Sequence, residues 1–132
     1  MNSEGGLLAL SAALTLVMVL TGALLKSKLW TPDGLKLSLG NRESMPEPTP
    51  IGGRADRAAK NMLENMVIFT AVMCAAHWSQ ADHERVVLGA RVFLLARLAY
   101  FPVYVAGVTV LRTLLWAAGV VGVVIVGLAA LH

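Results

Sequence analysis

The chain contains 132 residues, of which 57% are hydrophobic and only 14% are charged, and its formal net charge is +3. A soluble domain usually carries about a quarter charged residues, so this composition argues against a soluble globular enzyme and against a disordered chain. The length allows one compact domain, and the small net charge does not indicate a nucleic-acid partner.

The apolar segments, taken in chain order, predict four membrane-spanning helices. A transmembrane helix needs about 20 mostly apolar residues, and lipid tolerates only helices and closed barrels because it cannot satisfy free backbone groups. These segments are too long and too continuously apolar for barrel strands. Their predicted bounds are about 5–26, 54–78, 85–106 and 110–131. We therefore predict that residues 1–132 form an all-α, integral membrane four-helix bundle as a single domain.

The first connection, about residues 27–53, is long and dense in proline and glycine, which indicates an irregular loop. Most basic residues lie in or beside it: Lys26, Lys28, Lys36, Arg42, Arg54, Arg57 and Lys60. Arg112 lies beside the third connection, on the same side of the predicted bundle. Because lysine and arginine are enriched in cytoplasmic loops, we expect this loop to be cytoplasmic and both termini to face the opposite side.

Polar residues interrupt the second predicted helix in a regular pattern. Arg57, Asn61 and Glu64 fall at positions i, i+4 and i+7, which places them on one helical face. A charge near the bilayer centre costs about 2.5–3.5 kcal/mol on insertion scales. Such residues are therefore candidates for a functional site.

The third predicted helix carries a matching stripe, formed by Arg97, Tyr100 and Tyr104. Helical rise places Glu64 and Arg97 at similar depths, about 15 Å from the cytoplasmic end, so we expect them to meet as an ion pair. With Arg112 at the mouth, these residues outline a polar pocket open to the cytoplasm. Two structural alternatives remain: the ion pair only holds the bundle together, and Arg112 only sets the topology.

Two stretches of the sequence carry a family signature. Arg57, Ala58, Asn61 and Glu64 match the pattern Arg-Ala-x-x-Asn-x-x-Glu, which resembles the second helix of the MAPEG family (membrane-associated proteins in eicosanoid and glutathione metabolism). Residues 97–104, followed by 111–113, resemble the third helix and the start of the fourth. Residues 40–42 and the proline-rich loop are similar to those of bacterial members. That similarity implies a bacterial inner membrane, with periplasmic termini.

The resemblance also implies a homotrimer that binds glutathione as a co-substrate between neighbouring subunits, near the cytoplasmic side. By this resemblance, the glutathione-binding positions are Arg57, Asn61, Glu64, Tyr100 and Tyr104, and the pocket derived above adds Arg97. Arg112 falls on the arginine that stabilises the glutathione thiolate in related synthases, so it is the candidate catalytic residue. No metal site is predicted, because the histidines lack the neighbouring ligands that such a site needs.

Three functions are compatible with the sequence. The first is a glutathione transferase or peroxidase that conjugates glutathione to lipophilic electrophiles, or reduces lipid hydroperoxides, with substrate entering from the bilayer. The second is a membrane binding or interaction protein of the same fold without turnover. The third is a small four-helix exporter, which is disfavoured because such exporters carry a membrane-embedded acid in their first helix, and residues 5–25 contain none.

Overall fold

Five helices account for most of residues 3–132, the part of the chain that the computed structural model describes. They are α1 (Glu4–Ser27), α2 (Pro32–Leu39), α3 (Pro50–Trp78), α4 (His83–Ala106) and α5 (Thr109–Ala130). The structure is all-helical over this range, as predicted from the continuous apolar segments. Helices α1, α3, α4 and α5 are long, whereas α2 has only two turns.

Local side chains explain where most helices begin. The hydroxyls of Ser3, Thr31 and Thr49 accept hydrogen bonds from the backbone N–H three residues later, at 3.2, 3.0 and 3.2 Å. The Asp82 carboxylate accepts from the backbone N–H of Arg85 at 3.0 Å. Each bond satisfies one of the N–H groups that a helix start leaves without a partner.

The segment predicted as an irregular loop differs from the structure at two places. Residues 32–39 form α2, and α3 begins at Pro50, four residues before the predicted start. In both cases a threonine N-cap precedes a proline in the first helical turn. Proline is favoured at that position, because its missing N–H has no intrahelical partner there and its φ angle is already helical. The same prolines that indicate a loop therefore start two helices.

The long helices pack as two close pairs, α1 with α3 and α4 with α5, and the pairs contact each other through α3 with α5, α1 with α4 and α3 with α4. Glycine permits the closest approach: a Cβ atom on Gly122 of α5 would lie 2.6 Å from the Gly89 carbonyl oxygen and from the Phe93 nitrogen of α4. Phe93 in turn stacks on Phe69 of α3, with ring centroids 4.0 Å apart. Small residues at helix crossings and stacked aromatic rings thus fix the relative rotation of α3, α4 and α5.

Three helices, α1, α4 and α5, are long and apolar enough to cross a membrane. Helix α3 has sufficient length but does not meet the same criterion, since Asn61, Glu64 and Asn65 interrupt its apolar sequence. Two of these residues, Asn61 and Glu64, belong to the predicted pocket. Polar contacts join the helix ends: Lys26 pairs with Asp56 at 3.0 Å, and His83 contacts Glu4 at 2.8 Å at the opposite end.

Candidate functional site

A small cleft opens at the end of the molecule where α3 begins and α4 ends. Its volume is about 200 Å³, and it is lined by residues of three helices: Asn61, Tyr100, Arg112, Thr113 and Trp116. Three of the seven predicted site residues therefore share one cleft. A larger, open hollow of about 1060 Å³ lies at the opposite end, around the turn between α3 and α4. None of the predicted site residues lines it.

Arg97 is the most deeply placed charge near the cleft. It is 0% exposed, and its Nη1 donates a hydrogen bond of 2.9 Å to Oδ1 of Asn61. Its guanidinium lies between two rings, 5.6 Å from the Phe93 centroid and 5.1 Å from the Tyr100 centroid. Gly119 gives it room, since a Cβ there would stand 3.0 Å from Nε.

Two donors of Arg97, Nε and Nη2, have no hydrogen-bond partner. Leaving donors of a charged group buried and unpaired is costly, because water no longer solvates them. Arg97 is therefore suited to an acceptor that other groups in the described chain do not supply. An anionic group of a ligand, or a polar group of a neighbouring subunit, has the required chemistry.

The predicted ion pair between Glu64 and Arg97 is wrong for the single chain. Among residues 3–132, Arg97 forms no ion pair, and Glu64 is exposed on the outer surface of α3. Asn61, which lies almost one turn earlier, faces α4 in its place. Arg57 is also exposed, and its Nη1 lies near the backbone of Gly53. The α3 stripe is thus divided, with Asn61 facing inward and the two charged residues facing outward.

Arg112 stands at the mouth of the cleft, in the first turn of α5. Its guanidinium carbon lies 4.7 Å from the Tyr104 ring centroid, a cation–π geometry. The Tyr104 ring meets that of Tyr100 edge to face, at 5.4 Å. A continuous series of contacts therefore links Arg112 at the mouth, through both tyrosines, to the buried Arg97.

The turn between α4 and α5 positions Arg112 relative to α3. Gly107 ends α4 with a φ of +84°, a conformation that side chains with a Cβ rarely adopt. Arg54 of α3 lies against this glycine and donates from Nε to the Val105 carbonyl oxygen at 2.8 Å. A cation at the last carbonyls of a helix is favourable for the helix dipole. Arg54, which was not predicted as a site residue, is thus a structural support of the site.

Three polar or aromatic residues line or support the site in addition to the seven predicted ones. Trp116 lines the cleft. It follows Arg112 by four residues, so both lie on one face of α5, and this spacing could have predicted that Trp116 belongs to the site. Thr113 lies beside it and donates from its hydroxyl to the Thr109 carbonyl at 3.1 Å. Asn65 donates from Nδ2 to the Asn61 carbonyl at 2.8 Å, with Asn61 Oδ1 a further 3.4 Å contact, and so steadies the amide that meets Arg97.

The site combines a buried and a half-buried cation, two phenols and a carboxamide. This arrangement suits a ligand that carries anionic groups and has an apolar surface. No curated protein matches the chain. The sequence model of the MAPEG family matches residues 6–132, nearly the whole chain. The protein therefore belongs to the MAPEG family.

Proposed function

We propose that this protein is an integral membrane, glutathione-dependent enzyme that conjugates glutathione to lipophilic electrophiles or reduces lipid hydroperoxides. The family includes glutathione-dependent enzymes and non-catalytic members. The observation that carries the proposal is the position of Arg112, whose guanidinium packs on Tyr104 at the mouth of a cleft lined by Asn61 and Tyr100. A cation fixed at that point suits the stabilisation of a thiolate.

The charges of glutathione complement the predicted site residues. Its two carboxylates match guanidinium groups, which bind planar carboxylates through paired hydrogen bonds. Arg57 and Arg97 are the candidate partners, and the unpaired Nε and Nη2 of Arg97 support that assignment. Its ammonium group needs an acid, and Glu64 is the candidate. The phenol groups of Tyr100 and Tyr104 add donors near the mouth.

The site is incomplete in one chain, which supports a homotrimer. Arg57 and Glu64 lie on the exposed face of α3, a helix flanked by candidate membrane spans. A charged side chain facing lipid is costly, so these residues are expected to face a protein partner instead. In the proposed assembly four helices of each subunit cross the membrane. Glutathione then lies between subunits near the cytoplasmic side, and both termini face the periplasm of a bacterial inner membrane.

The proposed chemistry begins with ionisation of the glutathione thiol. A thiol with a pKa near 8.5 is only about 3% ionised at pH 7, and a guanidinium within about 4–6 Å lowers such a pKa by roughly 1–3 units. A shift of two units raises the thiolate to about three quarters. In conjugation, the thiolate sulfur forms a bond to the electrophilic carbon, and the displaced electron pair leaves with the leaving group or takes a proton. In peroxide reduction, two glutathione molecules give one disulfide, an alcohol and water.

Substitution of Arg112 tests the proposal in the purified, reconstituted protein. We expect Arg112→Ala to remove the ultraviolet absorbance of bound glutathione thiolate and to lower turnover at pH 7 by about 10-fold to 30-fold, the factor by which the thiolate fraction falls. Glutathione affinity, measured by calorimetry, should change much less, because other cations hold the carboxylates. Arg112→Lys should recover part of both signals, since it keeps the charge.

Arg85→Ala is a matched control, because Arg85 lies at the other end of the molecule. It should leave the absorbance and the turnover unchanged. An Arg112→Ala protein with normal thiolate absorbance and normal turnover would refute the role of Arg112. If the unmodified protein binds glutathione without ionising it and without turnover, it is a non-catalytic binding member of the family.

A further inference from the structure

Helix α2 presents apolar side chains beyond the end of a candidate membrane span. Trp30, just before α2, is 61% exposed, and Leu35 and Leu39 on α2 are 48% and 80% exposed. Leu35 and Leu39 are one turn apart, so they share one face of the helix. Helix α2 makes few contacts with the rest of the chain, and those are with α1. Nothing in the described chain covers this face.

The connection between α1 and α2 fixes the depth of α2. Helix α1 ends at Ser27, and Lys28 caps it in a left-handed conformation, with φ of 50°. Gly34, in the first turn of α2, packs so closely against the carbonyl oxygens of Ser27 and Lys28 that a Cβ atom would overlap them. The start of α2 is therefore held at the level where α1 ends. That level is the surface of the membrane that α1 is suited to span.

The polar residues around α2 suit the headgroup layer. Lys36 lies away from Gly34 on the helix, and Arg42 donates from Nε to the Ser38 carbonyl at 3.1 Å, which satisfies one of the last carbonyls of α2. Asp33 and Glu43 balance these cations, so the segment has no strong net charge. Burial of apolar surface, rather than attraction to anionic lipid, is the available driving force.

We propose that α2 is an interfacial helix that rests on the phospholipid surface of the membrane that α1 spans, with Trp30, Leu35 and Leu39 inserted at the boundary of headgroups and acyl chains. Three features indicate that lipid is the partner of α2: its exposed apolar face, the fixed depth of its first turn and its short connection to α1. Tryptophan is enriched at this boundary because its ring has one apolar body and one polar N–H. The proposal is independent of glutathione chemistry.

Fluorescence quenching of Trp30 tests the proposal. The Trp78→Phe/Trp116→Phe variant leaves Trp30 as the sole tryptophan, and it is reconstituted into phosphatidylcholine vesicles brominated in the upper acyl chains. We expect these lipids to quench most Trp30 emission, with or without added phosphatidylglycerol, and aqueous iodide to quench little. A reference protein carries Asn41→Trp as its sole tryptophan, with Trp30, Trp78 and Trp116 all replaced by Phe. Because position 41 is water-exposed, its emission should be quenched by iodide and little by the brominated lipids.

Aspartate substitutions on α2 distinguish contact of the whole helix with lipid from contact of Trp30 alone. In the same background, Leu35→Asp/Leu39→Asp should abolish lipid quenching and increase iodide quenching, because carboxylates do not enter the acyl layer. The matched control is Leu37→Asp, which lies on a different face and should change neither signal. Three results would overturn the proposal: no lipid quenching of Trp30, shielding from both quenchers as a contact between chains would give, or no effect of the double substitution.

Discussion

The hydrogen bond between Asn61 and Arg97 allows a quantitative test of the site. Arg97 is fully buried, and the 2.9 Å bond from Nη1 to Asn61 Oδ1 is its one side-chain hydrogen bond among the described residues. The substitution Asn61→Ala removes the acceptor and leaves the whole guanidinium without a hydrogen-bond partner. A hydrogen bond to a charged group contributes about 1.5–3 kcal/mol. We expect the free energy of unfolding to fall by about that amount.

Two companion variants identify the cause of the loss. Asn65→Ala removes a bond between uncharged groups, from Asn65 to the Asn61 carbonyl, so a smaller loss of about 0.5–1.5 kcal/mol is expected. Arg97→Met combined with Asn61→Ala should be less destabilised than Asn61→Ala alone, because replacing a buried polar pair by apolar groups leaves no unpaired charge. The double-mutant cycle then gives the coupling energy directly.

Reversible unfolding in detergent mixtures, followed by circular dichroism, measures the unsubstituted protein and all of these variants under one condition, with Arg97→Met alone completing the cycle. Asn61→Asp serves as the matched rescue, since it keeps an acceptor at the same position and adds the opposite charge. It should regain much of the stability that Asn61→Ala loses. An Asn61→Ala protein as stable as the unsubstituted one, or strictly additive single and double substitutions, would refute the assignment of Asn61 as the support of Arg97.

Three further predictions concern packing, surface charge and assembly. Gly122→Ala should destabilise by about 1–3 kcal/mol, since its Cβ meets the α4 backbone at 2.6 Å; Gly127→Ala, with 3.7 Å of room, is the near-neutral control in unfolding experiments. Asp56→Asn should cost at most about 1 kcal/mol, and less in high salt, because its bridge to Lys26 is partly exposed. Glu64→Gln should leave unfolding of a dissociated subunit unchanged but weaken trimer formation, in native mass spectrometry, and glutathione affinity.

Helix α2 was not predicted, although the sequence contains a signal for its start. The density of proline and glycine in residues 27–53 favoured a loop, yet Thr31 and Pro32 form a standard helix start. Whether a proline indicates a loop or a helix start depends on its position: it is favoured in the first turn of a helix and disfavoured in the interior. In the structure Gly34 packs against the end of α1, a tertiary contact that a linear pattern does not contain.

Helical periodicity alone did not identify the partner of Arg97. Arg57, Asn61 and Glu64 spread over about 60° of the α3 surface at roughly 100° per residue, and that range includes both the face toward α4 and the face toward the exterior. The pattern placed Glu64 and Arg97 at matching depth but did not fix the rotation of α3. In the structure the rotation that turns Asn61 toward Arg97 leaves Glu64 exposed.

The amino-acid sequence is sufficient to predict that the chain is helical and suited to a membrane, because apolar segments of this length satisfy their backbone groups in lipid only as helices. It also determined which polar residues share a helical face. The contacts of Arg97 with Asn61 and of Arg112 with Tyr104 became evident from the three-dimensional structure. These contacts depend on how far each helix is rotated and how deeply it lies. Rotation and depth are set by close crossings such as Gly89 with Gly122, between residues far apart in the chain.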